Sequence, residues 1–91
     1  MNDEQQLRER LERLQNELGA AQPGDADAHA RVEEMRRDIR GLLEQQRVAA
    51  DEQHQSVLQR LRNAIPYFES THPRLTLALS EVMDELTRMG L

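Results

Sequence analysis

The sequence predicts an all-α fold: a small antiparallel bundle of two helical hairpins, about four helices, with heptad-like coiled-coil seams. Three observations carry that prediction. Apolar residues recur three and four positions apart along most of the chain, which places them on one face of a helix. The composition is 37% hydrophobic, 32% charged and 2% aromatic, leaner than an average globular core and suited to charged helices that close through narrow seams. A disordered chain shares such numbers, but its apolar residues would be scattered rather than periodic. The 91 residues make one domain at most, 1–91. A chain of that size buries only about 60 to 65% of its unfolded surface, so oligomerisation is expected.

Helix 1 is predicted at about 3–19. Asn2 with Gln5 forms a capping-box pattern, and Leu7, Leu11, Leu14 and Leu18 follow at spacings of four, three and four. Glu4–Arg8, Arg8–Glu12, Glu9–Arg13 and Arg13–Glu17 stand four apart as helix-surface ion pairs. Gly19 and the run AAQPGD then end the helix.

Helix 2 is predicted at about 26–49, capped by Asp25 or Asp27, with Val32, Met35, Ile39 and Leu42 as its seam and Leu43 beside it. The short connection from helix 1 makes the two an antiparallel hairpin. Gly41 marks either a close backbone approach or an exposed position where glycine is tolerated. Beyond Glu44 the heptad would put Gln46, Ala49, Gln53 and Ser56 on the seam, too polar for a core. The chain therefore breaks near 50–54, with Asp51 or Ser56 capping the next helix, or else one helix of about forty residues runs on, since the stretch has no glycine or proline.

Helix 3, about 52–69, carries Val57, Leu58, Leu61, Ile65 and Phe68, with a kink near 66 where Pro66 interrupts the hydrogen-bond ladder. Helix 4, about 73–89, carries Leu75, Leu79, Val82, Leu86 and Met89, widened by Leu77, Ala78 and Met83. Ser70 or Thr71 is its expected cap, with Pro73 in the first turn. Gly90 suits a left-handed C-terminal position that lets Leu91 fold back towards Leu86, and Arg88 offsets the helix dipole. The segment IPYFESTHPRL, 65–75, gathers rare residues and reads as the joint between helices 3 and 4, with Phe68 in the core and Tyr67 at the rim.

The patterns LxxLxxEL at 11–18, LQRLRNAI at 58–65, FESTHPRLTLAL at 68–79 and the closing EVMDELTRMGL resemble a family of small bacterial proteins catalogued only as a domain of unknown function. The HPxL step and the MGL ending are the most distinctive elements, and the likeness covers nearly the whole chain. The resemblance implies a bacterial, all-helical, soluble protein, and brings no activity, cofactor, partner or functional residue with it.

The chemistry written in the residues is sparse. There is no cysteine, hence no disulfide framework or thiolate, and no apolar run of membrane-spanning length. The polar N-terminus is not a signal peptide, so a cytoplasmic protein is expected. A net charge of −5 disfavours nucleic acid and anionic lipid. All twelve basic residues are arginine, as a lysine-poor codon usage or a selection for bidentate recognition would give. His29 with Glu33, and Asp25 with Asp27, hint at a metal site but lack the paired ligands of a specific motif. His54 reads as solvated. Tyr67 and His72 make an acid–base pair only if a carboxylate and a pocket accompany them. Arg31, Arg36, Arg37, Arg40 and Arg47 form a basic strip on helix 2, interleaved with Glu33, Glu34, Asp38 and Glu44, which reads as a solvated face with pairs such as Glu33–Arg37 and Arg40–Glu44.

The expectation is a non-enzymatic protein–protein interaction or self-assembly module without cofactor or metal. Its interaction seam is Leu7, Leu11, Leu14, Leu18, Val32, Met35, Ile39 and Leu42, and its core is Leu58, Leu61, Ile65, Phe68, Leu75, Leu79, Val82, Leu86 and Met89. A homo-oligomer, with a dimer favoured, is the expected assembly, and helix 1 the expected intermolecular coiled-coil element. The alternatives are an adaptor that takes a helix of a larger partner or, less in keeping with the charge, a nucleic-acid-associated protein using the arginine strip.

Overall fold

The structure is a computed structural model that describes residues 3–44 and 52–90. Four helices follow one another: α1 (Asp3–Ala20), α2 (Ala26–Glu44), α3 (Glu52–Phe68) and α4 (Pro73–Arg88). The all-α bundle expected from the periodicity is what forms, and no strand occurs among the described residues. Arg8 of α1 meets the carbonyl of Leu43 near the end of α2, Arg60 of α3 meets Asp38 of α2, and Arg88 of α4 meets Asp3 of α1. These pairings run each helix antiparallel to its neighbour, so the four close into an up-down-up-down ring. Among neighbouring helices, packing is most extensive between α1 and α4 and least between α2 and α3, and the diagonal pairs make no close backbone approach.

The ring is held by one apolar core to which every helix contributes. Leu7, Leu11, Leu14 and Leu18 of α1 and Val32, Met35, Ile39 and Leu42 of α2 face Leu58, Leu61 and Phe68 of α3 and Leu75, Leu79, Val82 and Leu86 of α4. Small residues complete it, Ala28, Ala64 and Ala78 among them. Three apolar positions depart from the expected core. Ile65 lies beside the stripe set by Leu61, Ala64 and Phe68 and is half-buried. Met89 follows the last turn of α4, so no further turn covers it, and it too is half-buried. Leu77 points away from the Leu75–Leu79–Val82 stripe and is exposed rather than part of a widened apolar face.

The helix ends explain themselves locally. Asp25 caps α2, its side chain accepting from the Ala28 amide at 2.8 Å and its carbonyl from the His29 amide at 3.0 Å. Asn2 and Asp51, the expected caps of α1 and α3, lie outside the described residues, as do residues 50 and 51 of the predicted break at 50–54, whose remaining residues 52–54 already belong to α3. Ser56 falls inside α3 and does not cap it. Pro66 stands in the last turn of α3, which stops two residues later at Phe68, one short of the expected end. The Phe68 carbonyl then accepts the amides of Thr71 at 3.2 Å and His72 at 2.8 Å, turning the chain.

The cap of α4 is His72 rather than Ser70 or Thr71, and the His72 side chain makes no capping hydrogen bond to the helix. Pro73 at the first helical position disfavours helical geometry at the residue before it, and His72 sits at φ −137°, ψ 71°. At the other end Gly90 has φ +83°, the left-handed conformation that glycine adopts without a Cβ penalty; Leu91 lies outside the described residues. Gly41 has nothing within 4 Å of where a Cβ would stand, so it is an open helix position and not a close approach.

Candidate interaction interface

All eight residues of the expected interaction seam are covered inside the one chain, from 0% exposed for Leu7, Leu11, Leu14 and Ile39 to 3% for Val32. Seam and core are a single apolar cluster. The expected intermolecular partner of α1 is supplied by the chain's own α4, on which α1 packs more extensively than on α2, its neighbour in the hairpin. The largest interface is therefore the one between hairpins.

That interface also holds the one buried charge among the described residues. The Glu85 side chain is 0% exposed. One terminal nitrogen of Arg88 donates to both of its oxygens, at 3.0 and 2.9 Å, and Arg10 Nε of α1 stands 3.7 Å away. Arg10 also donates to the Glu81 carbonyl at 2.8 Å, and Arg13 donates to both Glu81 oxygens at 2.8 and 3.0 Å. Arg88 reaches Gln6 and lies 3.8 Å from Asp3. Sequence reasoning missed Glu85, although a signal exists: Ala78, Val82, Glu85 and Met89 stand at spacings of four, three and four, so Glu85 occupies an apolar-stripe position. A buried carboxylate persists only with charged or donor partners, and both arginines converge on it for that reason.

The other hairpin–hairpin contact, α2 with α3, is latched at its rim. Arg60 donates to both Asp38 oxygens at 2.9 Å and lies 3.8 Å from Glu34. That hydrogen bond holds the Arg60 guanidinium even more firmly protonated than usual. Tyr67 donates to Asp27 at 2.6 Å, and Arg31 both pairs with Asp27 at 3.2 Å and lies 4.0 Å over the Tyr67 ring. The Tyr67 hydrogen bond, with help from Arg31, lowers the Asp27 pKa, and the same bond raises that of Tyr67.

At the loop end of the bundle, His72 has both ring nitrogens engaged, with Thr71 Oγ1 at 2.9 Å and the Gln22 carbonyl at 3.2 Å. Phe68 packs edge-on against both Tyr67 and His72. Tyr67 and His72 are thus not paired with each other; each ties the joint to the α1–α2 side of the molecule. Beside them runs an open cleft of about 440 Å³ lined by Glu17, Gln22, Thr71, His72 and Arg74.

The remaining candidates disperse. Asp25 is occupied as a cap and Asp27 by Tyr67 and Arg31, and no group of three or more metal-capable side chains occurs among the described residues. The side chain of His54 and the whole of Arg47 lie outside them. On the arginine strip, Glu33 pairs with Arg36 at 3.2 Å instead of Arg37, and Arg37 and Arg40 form no ion pair among the described residues. Arg13, expected to pair with Glu9 and Glu17 along its own helix, reaches across to Glu81. No helix of the described residues is long and apolar enough to cross a membrane.

Neither the curated proteins nor the solved structures contain a match to the chain. A family model described as a domain of unknown function, DUF4404, matches residues 7–91, which takes in all four helices apart from the first turn of α1. By that match, and with the helical architecture the resemblance implies, the chain belongs to the DUF4404 family.

Proposed function

We propose that the protein is a non-enzymatic helical interaction and self-assembly module. The observation that supports this best is the division of recognition between its two hairpins. The α1–α2 hairpin holds the Leu7–Leu18 and Val32–Leu42 stripes with Arg10, Asp27 and Asp38, and the α3–α4 hairpin holds the complementary stripes with Glu85, Tyr67 and Arg60. Each is half of an interface, apolar at the centre and charged at specified points of the rim, the pattern by which helical partners fix register.

The partner proposed is a second copy of the chain, with a dimer favoured. An adaptor that takes a foreign helix is the weaker reading, since such a helix would have to displace one already seated on the seam. Phosphate binding by the arginine strip is weaker still, because Arg31 and Arg36 are already paired and only Arg37 and Arg40 remain among the described residues. That Tyr67 and His72 are both spent on structural bonds weighs against acid–base chemistry there. A bacterial, cytoplasmic setting goes with this reading, and the cysteine-free composition suits it.

The experiment is light scattering on the purified protein at micromolar concentration, together with affinity recovery from cell extract. A mass above one chain supports self-assembly. A single-chain mass with no stoichiometric partner recovered overturns the reading.

A further inference from the structure

We infer that the bundle has a built-in opening edge, the seam between α2 and α3, along which the two hairpins part while α1 and α4 stay packed. The inference goes beyond the assembly reading and concerns the single chain. Of the four interfaces in the ring, α1–α4 packs most extensively and α2–α3 least. They also differ in the residues that build them. On the side of α2 that meets α3 stand Asp27, Arg31, Glu34 and Asp38, at spacings of four, three and four, and α3 presents Arg60, Asn63 and Tyr67, three and four apart. A polar stripe thus runs along each helix beside its apolar one.

Bonds across the seam come from these stripes: Arg60 to Asp38 at 2.9 Å and towards Glu34 at 3.8 Å, Tyr67 to Asp27 at 2.6 Å, and Arg31 4.0 Å over the Tyr67 ring. Most of the charged groups stay in water. The side chains of Asp27, Glu34, Arg31 and Arg60 are 69, 52, 46 and 40% exposed, and only that of Asp38, at 13%, is largely covered. Exposed ion pairs contribute little to stability, because water competes for both partners and salt screens them. Between the stripes lies a groove of about 110 Å³ whose apolar lining is Met35 and Ala64, 2% and 4% exposed.

The opposite interface is built the other way. There the leucines of α1 belong to the shared core, and Arg10 of α1 approaches the Glu85 carboxylate, which is 0% exposed. Parting α1 from α4 strips a buried charge of one partner and opens the leucine stripe, whereas parting α2 from α3 breaks bonds that water replaces in kind. The edge with the least packing and the most accessible bonds opens at the lowest free energy. The α1–α4 interface is then the hinge, and Met35 and Ala64 are what the open state shows to solvent.

The test uses the absence of native cysteine and two matched alanines. Ala64 lines the α2–α3 groove, and Ala78, three residues before Glu81 and seven before Glu85, lies on the face of α4 that meets α1, at 2% exposed. A64C and A78C are each treated with a thiol-reactive reagent under native conditions, with rates normalised to those of the unfolded chain in urea. Opening along α2–α3 predicts that A64C is labelled at least about tenfold faster than A78C. Equal rates, or a faster A78C, overturn the proposal, because the core then becomes accessible only by global unfolding or by another edge. Two second-site changes separate the interfaces. D38N weakens the seam and should speed labelling of A64C, and an unchanged rate overturns the proposal. R10A weakens the hinge, which is intact in the open state, so it should speed labelling of A78C and leave A64C as it was; equal acceleration of both overturns it. Circular dichroism confirms that each variant is folded, and R13A, which removes only the rim pair with Glu81, replaces R10A if that variant is not.

Discussion

Arg88 donates from a single nitrogen to both oxygens of Glu85, at 3.0 and 2.9 Å, and Glu85 is the only fully buried acidic side chain among the described residues. The pair lies three residues apart on α4, yet its effect is on α1, because Arg10 approaches the same carboxylate from across the interface. Removing the partners and removing the acid are therefore different experiments. R10A/R88A leaves a buried carboxylate uncompensated and is expected to cost about 3 to 5 kcal/mol. E85L replaces the acid by an apolar side chain in an apolar stripe and is expected to be neutral or stabilising by about 1 kcal/mol or more. Urea denaturation followed by circular dichroism checks the order, and a costlier E85L would refute it.

The Tyr67–Asp27 bond makes stability depend on pH at both ends. Asp27 has a folded pKa below its ordinary value, so its contribution is present above the usual carboxylate range and is lost as pH falls through the depressed value. Tyr67 has a folded pKa raised above 10, so its contribution is complete below that and is lost as pH rises through the raised value. The alkaline limb is clean, because the chain has one tyrosine and neither lysine nor cysteine. Tyrosinate absorbance should titrate above 10 in the native protein and move down towards 10 in D27N. An identical midpoint in both proteins would show that the bond does not form in solution.

Gly41 weakens α2 without compensation. It sits within the helix, exposed, with open space where a Cβ would be. Gly41→Ala is expected to stabilise by about 0.5 to 1 kcal/mol through backbone entropy alone. Thermal unfolding reads this as a higher midpoint. Gly90→Ala should act oppositely, by about 1 kcal/mol, since φ there is +83°.

The four helices, the apolar stripe of each and most of the core were legible in the sequence, because burial in a four-helix ring is a stripe on each helix and a stripe is periodic. What it concealed are relationships between helices. Arg13 has acids four residues away on both sides, and local spacing cannot tell that Glu81 of α4 offers a bidentate geometry in their place. Glu85 was hidden by its residue type, since an acid on an apolar stripe is recognised only when the cations that neutralise it are seen. His72 instead of Ser70 or Thr71 begins α4 because Pro73 dictates the backbone of the residue before it, and a side-chain cap was not needed to set the boundary. IPYFESTHPRL is a joint, and its rare residues are there to fasten it: Phe68 to the core, Tyr67 to α2 and His72 to the α1–α2 loop.

The leucine seam gives the last prediction, by contrast between two leucines. Leu11 is 0% exposed at the centre of the α1 stripe, whereas Leu77 is 63% exposed on the outer face of α4. Leu11→Ala removes buried methyl groups and leaves a cavity, at an expected cost of about 2 to 5 kcal/mol, a large part of the stability of a chain this short. Leu11→Glu should go further and unfold the chain rather than separate folded subunits, because the residue lies inside the chain's own ring. Leu77→Glu touches no core residue and should change stability by less than about 0.5 kcal/mol. Its effect on mass is the informative one: if self-assembly uses the outer face of α4, Leu77→Glu should reduce a two-chain mass to one chain without loss of helicity, and an unchanged two-chain mass would place the interface elsewhere.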